Sequence, residues 1–183
     1  PYSPSHRRRL NVLHLATATG VAGALIDYQT DTPARMAALR QAFDAHPTSP
    51  EFLAYLAQEG TSLETFALHQ ALSAIHGPFW CDWPTDLQCP NSAAALAARH
   101  DLRDESLFHA WLQWRAQSDL SAAQAQAKTA GMAHGLYLDL AVGTHPHGAE
   151  TWEDRDSFAY GASLGAPPDA FSAEGQNWGL APF

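Results

Sequence analysis

The 183-residue sequence has little positive charge and little cysteine. Ten Lys and Arg residues stand against 19 Asp and Glu residues, which gives a formal net charge of −9, and Lys128 is its only lysine. Nucleic-acid binding needs clustered Lys and Arg to neutralise phosphates, so this composition argues against a nucleic-acid partner. Because the cysteines, Cys81 and Cys89, are too few for a disulfide framework, we expect a cytoplasmic protein.

Long apolar runs and several familiar catalytic motifs are also missing. No apolar stretch approaches the roughly 20 residues that span a membrane, and the nucleophile-elbow, P-loop and dinucleotide patterns are absent. His145 and His147 have no carboxylate or cysteine at a ligand-like spacing, so we expect no metal or other cofactor. What the chain does contain is 46% apolar and only 16% charged residues, which is typical of a packed globule.

Capping residues and prolines predict a helix-rich chain. Asp31 or Thr32 precedes Pro33, and Ser49 precedes Pro50, as at helix N-termini. Gly60 is expected to separate two helices. The arginine run 7–9 has the composition of a solvated edge. The predicted helices cover about 33–46, 50–59, 61–76, 92–100, 104–130 and 149–152.

One short segment, 136–142, is almost continuously apolar and follows the longest predicted helix. This order predicts a buried parallel strand. Asp139 interrupts the run, and because burying an unpaired carboxylate is costly, it should lie at a strand end or face a partner. Side chains at the carboxyl ends of barrel strands form active sites, so Asp139 is a candidate site residue. The alternative is a structural aspartate that caps a neighbouring loop.

The tail, 165–179, combines glycines and prolines with polar and aromatic side chains. Sugars present an apolar C–H face and an edge of hydroxyls, which suit aromatic rings and carboxylate or amide groups respectively. The tail therefore has the composition of a carbohydrate-binding loop. The alternative is a rigid surface loop with a buried tryptophan anchor. Its candidate binding residues are Asp169, Phe171, Gln176 and Trp178.

Several motifs in one order carry a family resemblance. The start, Pro-Tyr-Ser-Pro-Ser-His-Arg with Leu10-Asn11, resembles the SPYSPSSR…LNP segment of amylomaltases, the 4-α-glucanotransferases of glycoside hydrolase family 77. His6 and Val12 stand where that family often has serine and proline. Gly-Leu-Tyr-Leu-Asp-Leu-Ala-Val-Gly is similar to the family's GLYRDLAVG strand. Further similar motifs lie at 108–114, 148–152, 161–169 and 175–180, the last two pointing to the bacterial maltodextrin-pathway branch.

The resemblance implies an α/β fold, a partial (β/α)8 barrel that is mostly helical in this segment with a few parallel strands. It divides the chain into a barrel segment (1–30), an inserted helical subdomain (31–103) and a barrel helix, strand and glucan-binding loop (104–183). It also implies retaining transfer of α-1,4-glucan segments by a carboxylate nucleophile and a carboxylic acid about 5 Å apart. The family's catalytic motifs are absent from this sequence, so we expect an internal fragment without catalytic residues.

By motif position, the resemblance assigns maltooligosaccharide binding to two residues outside the tail. Asp139 matches a strand-end residue that lines the cleft, and Tyr2 matches an aromatic residue near the sugar-binding surface. Asp169, Phe171, Gln176 and Trp178 match the family's mobile glucan-binding loop. Other hypotheses remain open: a self-standing sugar-binding module, a helical interaction protein, and a metal hydrolase built on His145 and His147.

Overall fold

A computed structural model describes residues 2–15 and 27–183, with only the backbone of Tyr2 and His14. Helices account for most of these residues, and short 3-10 turns connect some of them. The α-helices are α1 (Tyr28–Ala45), α2 (Pro50–His76), α3 (Ala93–Asp101), α4 (Arg103–Thr129) and α5 (Ala149–Glu153). The strands are β1 (Tyr2–Ser3), β2 (His6–Leu10), β3 (Leu164–Ala166) and β4 (Gln176–Leu180).

Local sequence signals account for the limits of α2. Ser49 caps its first turn by accepting a 3.2 Å hydrogen bond from the Phe52 amide. Gly60 has φ 57° and ψ −144° inside the element, so two helical pieces meet there at a kink, as predicted. Glycine takes this left-handed conformation without the steric cost that a Cβ imposes.

Helix α1 begins earlier than predicted, at Tyr28 rather than near Pro33. Asp27 is the cap, accepting a 3.1 Å hydrogen bond from the Gln29 amide and a 2.9 Å bond from the Thr30 hydroxyl. The prediction of Asp31 or Thr32 as the cap is therefore corrected. Pro33 is the sixth residue of the helix, past its first turn, so its missing amide leaves the Gln29 carbonyl without its helical hydrogen bond.

The core forms where α2 packs against α4, with α1 and the β2 strand closing its sides. Phe43 of α1 meets Phe108 and Trp111 of α4 at ring-centroid distances of 5.7 and 5.9 Å. This core contains residues from both sides of the predicted boundary at residue 103. The division of the chain into three segments stays a prediction. Large buried members are Leu10, Leu15, Leu39, Phe43, Phe52, Leu63, Phe66, Phe108, Trp111 and Leu112.

The expected parallel strand at 136–142 is corrected by the structure. The run forms no strand, and Tyr137 is 97% exposed. Over the described ranges, the sheets are two antiparallel pairs, β1 with β2 and β3 with β4. A buried parallel strand needs neighbouring strands, and the described residues supply no strand beside this run. No helix among them is long and apolar enough to cross a membrane.

Candidate functional site

The β3–β4 hairpin carries most of the predicted sugar-binding residues. Gly165 pairs with Asn177 and Ala166 with Gln176, leaving the loop 167–175 at the tip. A Cβ on Gly165 would lie 2.0 Å from the Gln176 carbonyl oxygen. Gly175 has φ +76°, and a Cβ there would approach the Ala166 carbonyl oxygen to 2.6 Å. Both glycines are therefore required for the two chains to approach this closely.

Asp169 organises the tip of this loop. Its Oδ1 accepts hydrogen bonds from the amides of Phe171 and Ser172, both at 2.8 Å, and its own amide donates to the Ser172 carbonyl at 3.0 Å. The resulting turn leaves the Phe171 ring 100% exposed. Asp169 thus fixes where Phe171 stands, while Oδ2 has no hydrogen-bond donor among the described residues and faces solvent.

Gln176 and Trp178 form a second group on β4. The Trp178 indole N–H donates to Oε1 of Gln176 at 3.0 Å, which leaves the amide nitrogen of Gln176 available as a donor. Trp178 is 44% exposed, so the alternative of a buried tryptophan anchor is wrong. Between them, Asn177 turns to the other side and accepts from the Ser163 hydroxyl at 2.7 Å and the Gly179 amide at 2.9 Å. Strand alternation thus places Asn177, which holds Ser163 and Gly179, on one side of β4 and Gln176 and Trp178 on the other.

The hairpin is tied to the N-terminal motif through the segment around Thr144. Thr144 forms a β-bridge with Ala181, just past β4. On its other side the Pro4 carbonyl accepts from the His145 amide at 3.1 Å and from the Thr144 hydroxyl at 3.3 Å. Tyr2 lies two residues before Pro4, with its backbone paired to Leu10; its side chain is outside the described residues, so its predicted sugar contact stays a prediction.

Ser5 joins the first motif to α5, 144 residues away. Its hydroxyl accepts from the Ala149 amide at 2.8 Å, and its carbonyl accepts from the Glu150 amide at 3.0 Å. A Cβ on Gly148 would lie 2.7 Å from that carbonyl. The N-terminal motif and the motif at 148–152, which the sequence analysis matched separately, therefore pack against each other.

The predicted solvated arginine edge holds only for Arg8, which is exposed, whereas Arg7 and Arg9 form ion pairs and only Arg9 is buried. Arg7 donates to both carboxylate oxygens of Glu150, and its Nη2 lies 2.7 Å from Oε1. Burial raises the pKa of Glu150, but the hydrogen bonds and charge of Arg7 lower it more, and the pKa falls below its usual value. Arg9, only 5% exposed, pairs with Glu59 at 2.6 Å. These partners are distant in sequence, so no local pattern indicated them.

Asp139 is exposed, lies outside any helix or strand, and has no hydrogen-bond partner among the described residues. The run leads directly to the hairpin, since a Cβ on Gly143 would lie 3.0 Å from Leu180 Cβ and 3.2 Å from Leu164 Cδ1. The structure thus brings the segment that carries Asp139 to the hairpin, while the direction of that carboxylate toward a ligand stays a prediction.

The two histidines considered as metal ligands belong to an aromatic cluster. His145 stacks on Phe79 with 4.8 Å between ring centroids and an interplanar angle of 10°, and its ring lies 5.9 Å from that of His147. Burial and the neighbouring His147 lower the pKa of His145. Within the described ranges no group of three His, Cys, Asp or Glu side chains has a metal-binding arrangement.

The exposed rings and side-chain amides of the hairpin are groups typical of carbohydrate-binding proteins. The chain belongs to glycoside hydrolase family 77, the 4-alpha-glucanotransferases, whose family model matches residues 1–183. The resemblance noted in the sequence is thereby confirmed. A 4-alpha-glucanotransferase of Mycobacterium tuberculosis is 38% identical over 161 residues, covering 86% of this chain and 22% of the relative.

Solved structures give the same result for the fold. Amylomaltase from Corynebacterium glutamicum superposes with a TM-score of 0.77 at 26% identity, covering 100% of this chain and 28% of that one. Amylomaltase from Streptococcus agalactiae, solved in complex with acarbose, gives a TM-score of 0.73 at 20% identity, covering 89% of this chain and 35% of that one. The expected fold class, a helix-rich part of the amylomaltase fold, is confirmed. The chain spans about a quarter to a third of these proteins' length.

Proposed function

We propose that the protein containing this chain is a cytoplasmic 4-α-glucanotransferase that moves α-1,4-glucan segments between maltooligosaccharides with retention of configuration. The observation that carries this proposal is the family match over residues 1–183. The exposed Phe171 and Trp178 rings support a sugar substrate. Since the chain spans only part of its relatives, the activity is ascribed to the whole protein.

Within that enzyme, we assign this chain the task of holding the glucan. The exposed face of Phe171 suits the apolar C–H face of a glucose ring, and the tilted indole of Trp178 offers a second plane. The free amide of Gln176 and Oδ2 of Asp169 supply a donor and an acceptor for sugar hydroxyls. Asp139 and Tyr2 are proposed to extend this binding surface, the first from the run leading to the hairpin and the second from the N-terminal motif.

The catalytic carboxylate pair is proposed to come from elsewhere in the whole protein. Retaining transfer requires a nucleophile and an acid about 5–5.5 Å apart, both free to react. Here Glu150 is held by Arg7, Glu153 contacts Nε2 of His6 at 3.0 Å, and Asp169 closes a turn. These acids stabilise the fold, and each would lose a structural partner if it attacked a sugar.

Glucose release from maltotriose tests both parts of the proposal. The whole protein should disproportionate maltotriose and release glucose, because transfer of a maltosyl unit leaves glucose behind. The 183-residue chain alone should release none. Inactivity of the folded whole protein on maltotriose and longer maltooligosaccharides would contradict the assigned activity. Glucose release by the isolated chain would contradict the assignment of catalysis to other residues.

A binding module without catalysis is the second candidate, favoured by the full exposure of Phe171 in a loop of its own. It requires maltooligosaccharide binding by the isolated chain together with inactivity of the whole protein. Calorimetry on the chain, beside the glucose assay on the whole protein, separates the two candidates.

A further inference from the structure

A cavity of about 450 Å³ opens between α2, α3 and α4, and none of its lining residues belongs to the β3–β4 hairpin. Leu56, Ala67, Leu96 and Leu107 give it an apolar lining. Leu96 is 53% exposed at the α3 side, so the cavity is open to solvent. Its volume lies within the roughly 300–1,000 Å³ usual for small-molecule sites.

The polar side of this cavity is basic. Arg99, His100 and Arg103 line it, together with one carboxylate, Glu64. Glu64 Oε2 lies 3.3 Å from Nη1 of Arg99, whereas Arg103 has no carboxylate within salt-bridge distance among the described residues. Since Arg99 is paired with Glu64, the lining is left with one arginine, Arg103, that no carboxylate of the cavity pairs with.

Polar atoms without partners also lie at the cavity. Nε of Arg99 and Oγ of Ser106 are buried from solvent, and neither has a hydrogen-bond partner in the described part of the chain. Both side chains line the same space. Buried polar groups are normally hydrogen-bonded, so each of these donors is suited to an acceptor that enters the cavity.

We propose that this cavity binds a small amphipathic monoanion, specifically a carboxylate with a short apolar body. The apolar body would lie against Leu56, Leu96 and Leu107. The carboxylate would lie at Arg103, whose guanidinium offers two parallel N–H donors of the geometry that a carboxylate accepts. Acceptance from Arg99 Nε and the Ser106 hydroxyl would complete its hydrogen bonding. This site is separate from the proposed glucan surface.

The test is calorimetric titration of the whole protein with octanoate and, separately, with octan-1-ol, which measures the affinity for each. Both probes have the same apolar length, and only octanoate carries the charge. We expect one octanoate site, and affinity for octan-1-ol lower by about tenfold or more, the factor that corresponds to one charge-assisted bidentate contact.

Two variants locate that site. Arg103→Gln should weaken octanoate binding by about tenfold while leaving octan-1-ol binding unchanged. Leu96→Glu should abolish octanoate binding, because it places a negative charge at the opening. The controls are Arg115→Gln on α4 and Leu53→Glu on α2, which lie outside the cavity; Leu53 is 52% exposed, against 53% for Leu96.

The outcomes separate the possible occupants. Octanoate binding that Arg103→Gln and Leu96→Glu remove, and that both controls retain, supports the site. Equal affinity for octanoate and octan-1-ol overturns the anionic assignment. Absence of binding to the whole protein overturns the proposal, and it is the result expected if another part of that protein covers the cavity. Octanoate binding is read by calorimetry and does not require enzyme activity. Glucose release from maltotriose is measured in parallel, so failure of the octanoate site and failure of the proposed activity are told apart.

Discussion

The indole N–H of Trp178 is hydrogen-bonded to Oε1 of Gln176 at 3.0 Å, and the two side chains leave β4 two residues apart, on one side of the strand. The side-chain amide of Gln176 therefore orients the indole ring of Trp178, a residue that is 44% exposed. This pairing gives the glucan proposal its sharpest test.

Gln176→Ala should raise the KM of the whole enzyme for maltotriose by roughly fivefold, since one neutral hydrogen bond contributes about 1 kcal/mol. Gln176→Glu keeps the oxygen that accepts from Trp178 and should restore the indole orientation, though not the amide donor. Both side chains are exposed, so the free energy of unfolding should change by less than about 0.5 kcal/mol. An unchanged KM in Gln176→Ala would contradict the proposed sugar contact.

Phe171→Ala removes a fully exposed ring and should leave stability unchanged within about 0.5 kcal/mol. Loss of stacking on a glucose ring should lower kcat/KM about tenfold, the effect of about 1.4 kcal/mol. Phe171→Tyr keeps the aromatic face and should keep the activity. The measurement is maltotriose disproportionation, and equal kcat/KM for the alanine and tyrosine variants would exclude stacking at this position.

Gly165→Ala should open the hairpin, because its Cβ would lie 2.0 Å from the Gln176 carbonyl oxygen. The amides of β3 and β4 should then exchange with deuterium much faster than in the parent protein. Gly161→Ala is the matched control, since a Cβ there would have nothing within 4 Å. Equal protection of the β4 amides in both variants would show that the close approach is not required.

Glu150→Gln should destabilise the protein by about 3–5 kcal/mol, because it leaves the Arg7 guanidinium without its carboxylate in a largely buried place. Asp119→Asn breaks the exposed Arg115 pair at 3.8 Å and should cost less than about 0.5 kcal/mol. Urea unfolding of the whole protein checks both values. Equal effects of the two substitutions would mean that the docking of α5 on β2 does not depend on this ion pair.

Acid should destabilise the fold through His69. Burial, with a smaller effect from His6, lowers the pKa of His69 from 6.5 to about 3. The unfolded chain therefore binds more protons than the folded one between these values, and stability is lost as the pH falls below 6.5. By pH 5 the loss from this residue is about 2 kcal/mol.

His69→Gln should reduce this dependence between pH 7 and pH 5, measured by urea unfolding at each pH; part of it should remain, because burial and Arg40 lower the pKa of His109 to about 4. Substitution of the exposed His134 by Gln should leave the slope as it is. A slope unaffected by His69→Gln would show that another group governs acid sensitivity.

The helices were predictable because their limits are set by neighbouring residues. Ser49 beside Pro50, and the break at Gly60, act within a turn or two of the chain. The start of α1 was missed because two aspartates four residues apart both fit a cap; Asp27 holds the helix, and Asp31 accepts from the Asp27 amide at 3.0 Å. Choosing between them requires the backbone path, which the local pattern does not contain.

The candidate site was only partly predictable for the same reason. The composition of the tail indicated sugar binding, and the exposure of Phe171 and Trp178 supports that interpretation. The turn-forming role of Asp169 depends on the loop conformation, and burial of Arg9 depends on Glu59, fifty residues away. The strand at 136–142 was predicted from its apolar composition, its position after a long helix and the similar strand motif of the family, whereas a strand forms only when neighbours supply its hydrogen bonds.

The unpaired run from Tyr137 to Val142 has a consequence for production of the chain. Tyr137, Leu140 and Val142 are each mostly in contact with water, and their backbone groups are free to pair with another molecule. Expressed alone, the 183-residue chain should self-associate through this run as its concentration rises, so measurements on the isolated chain belong at low concentration.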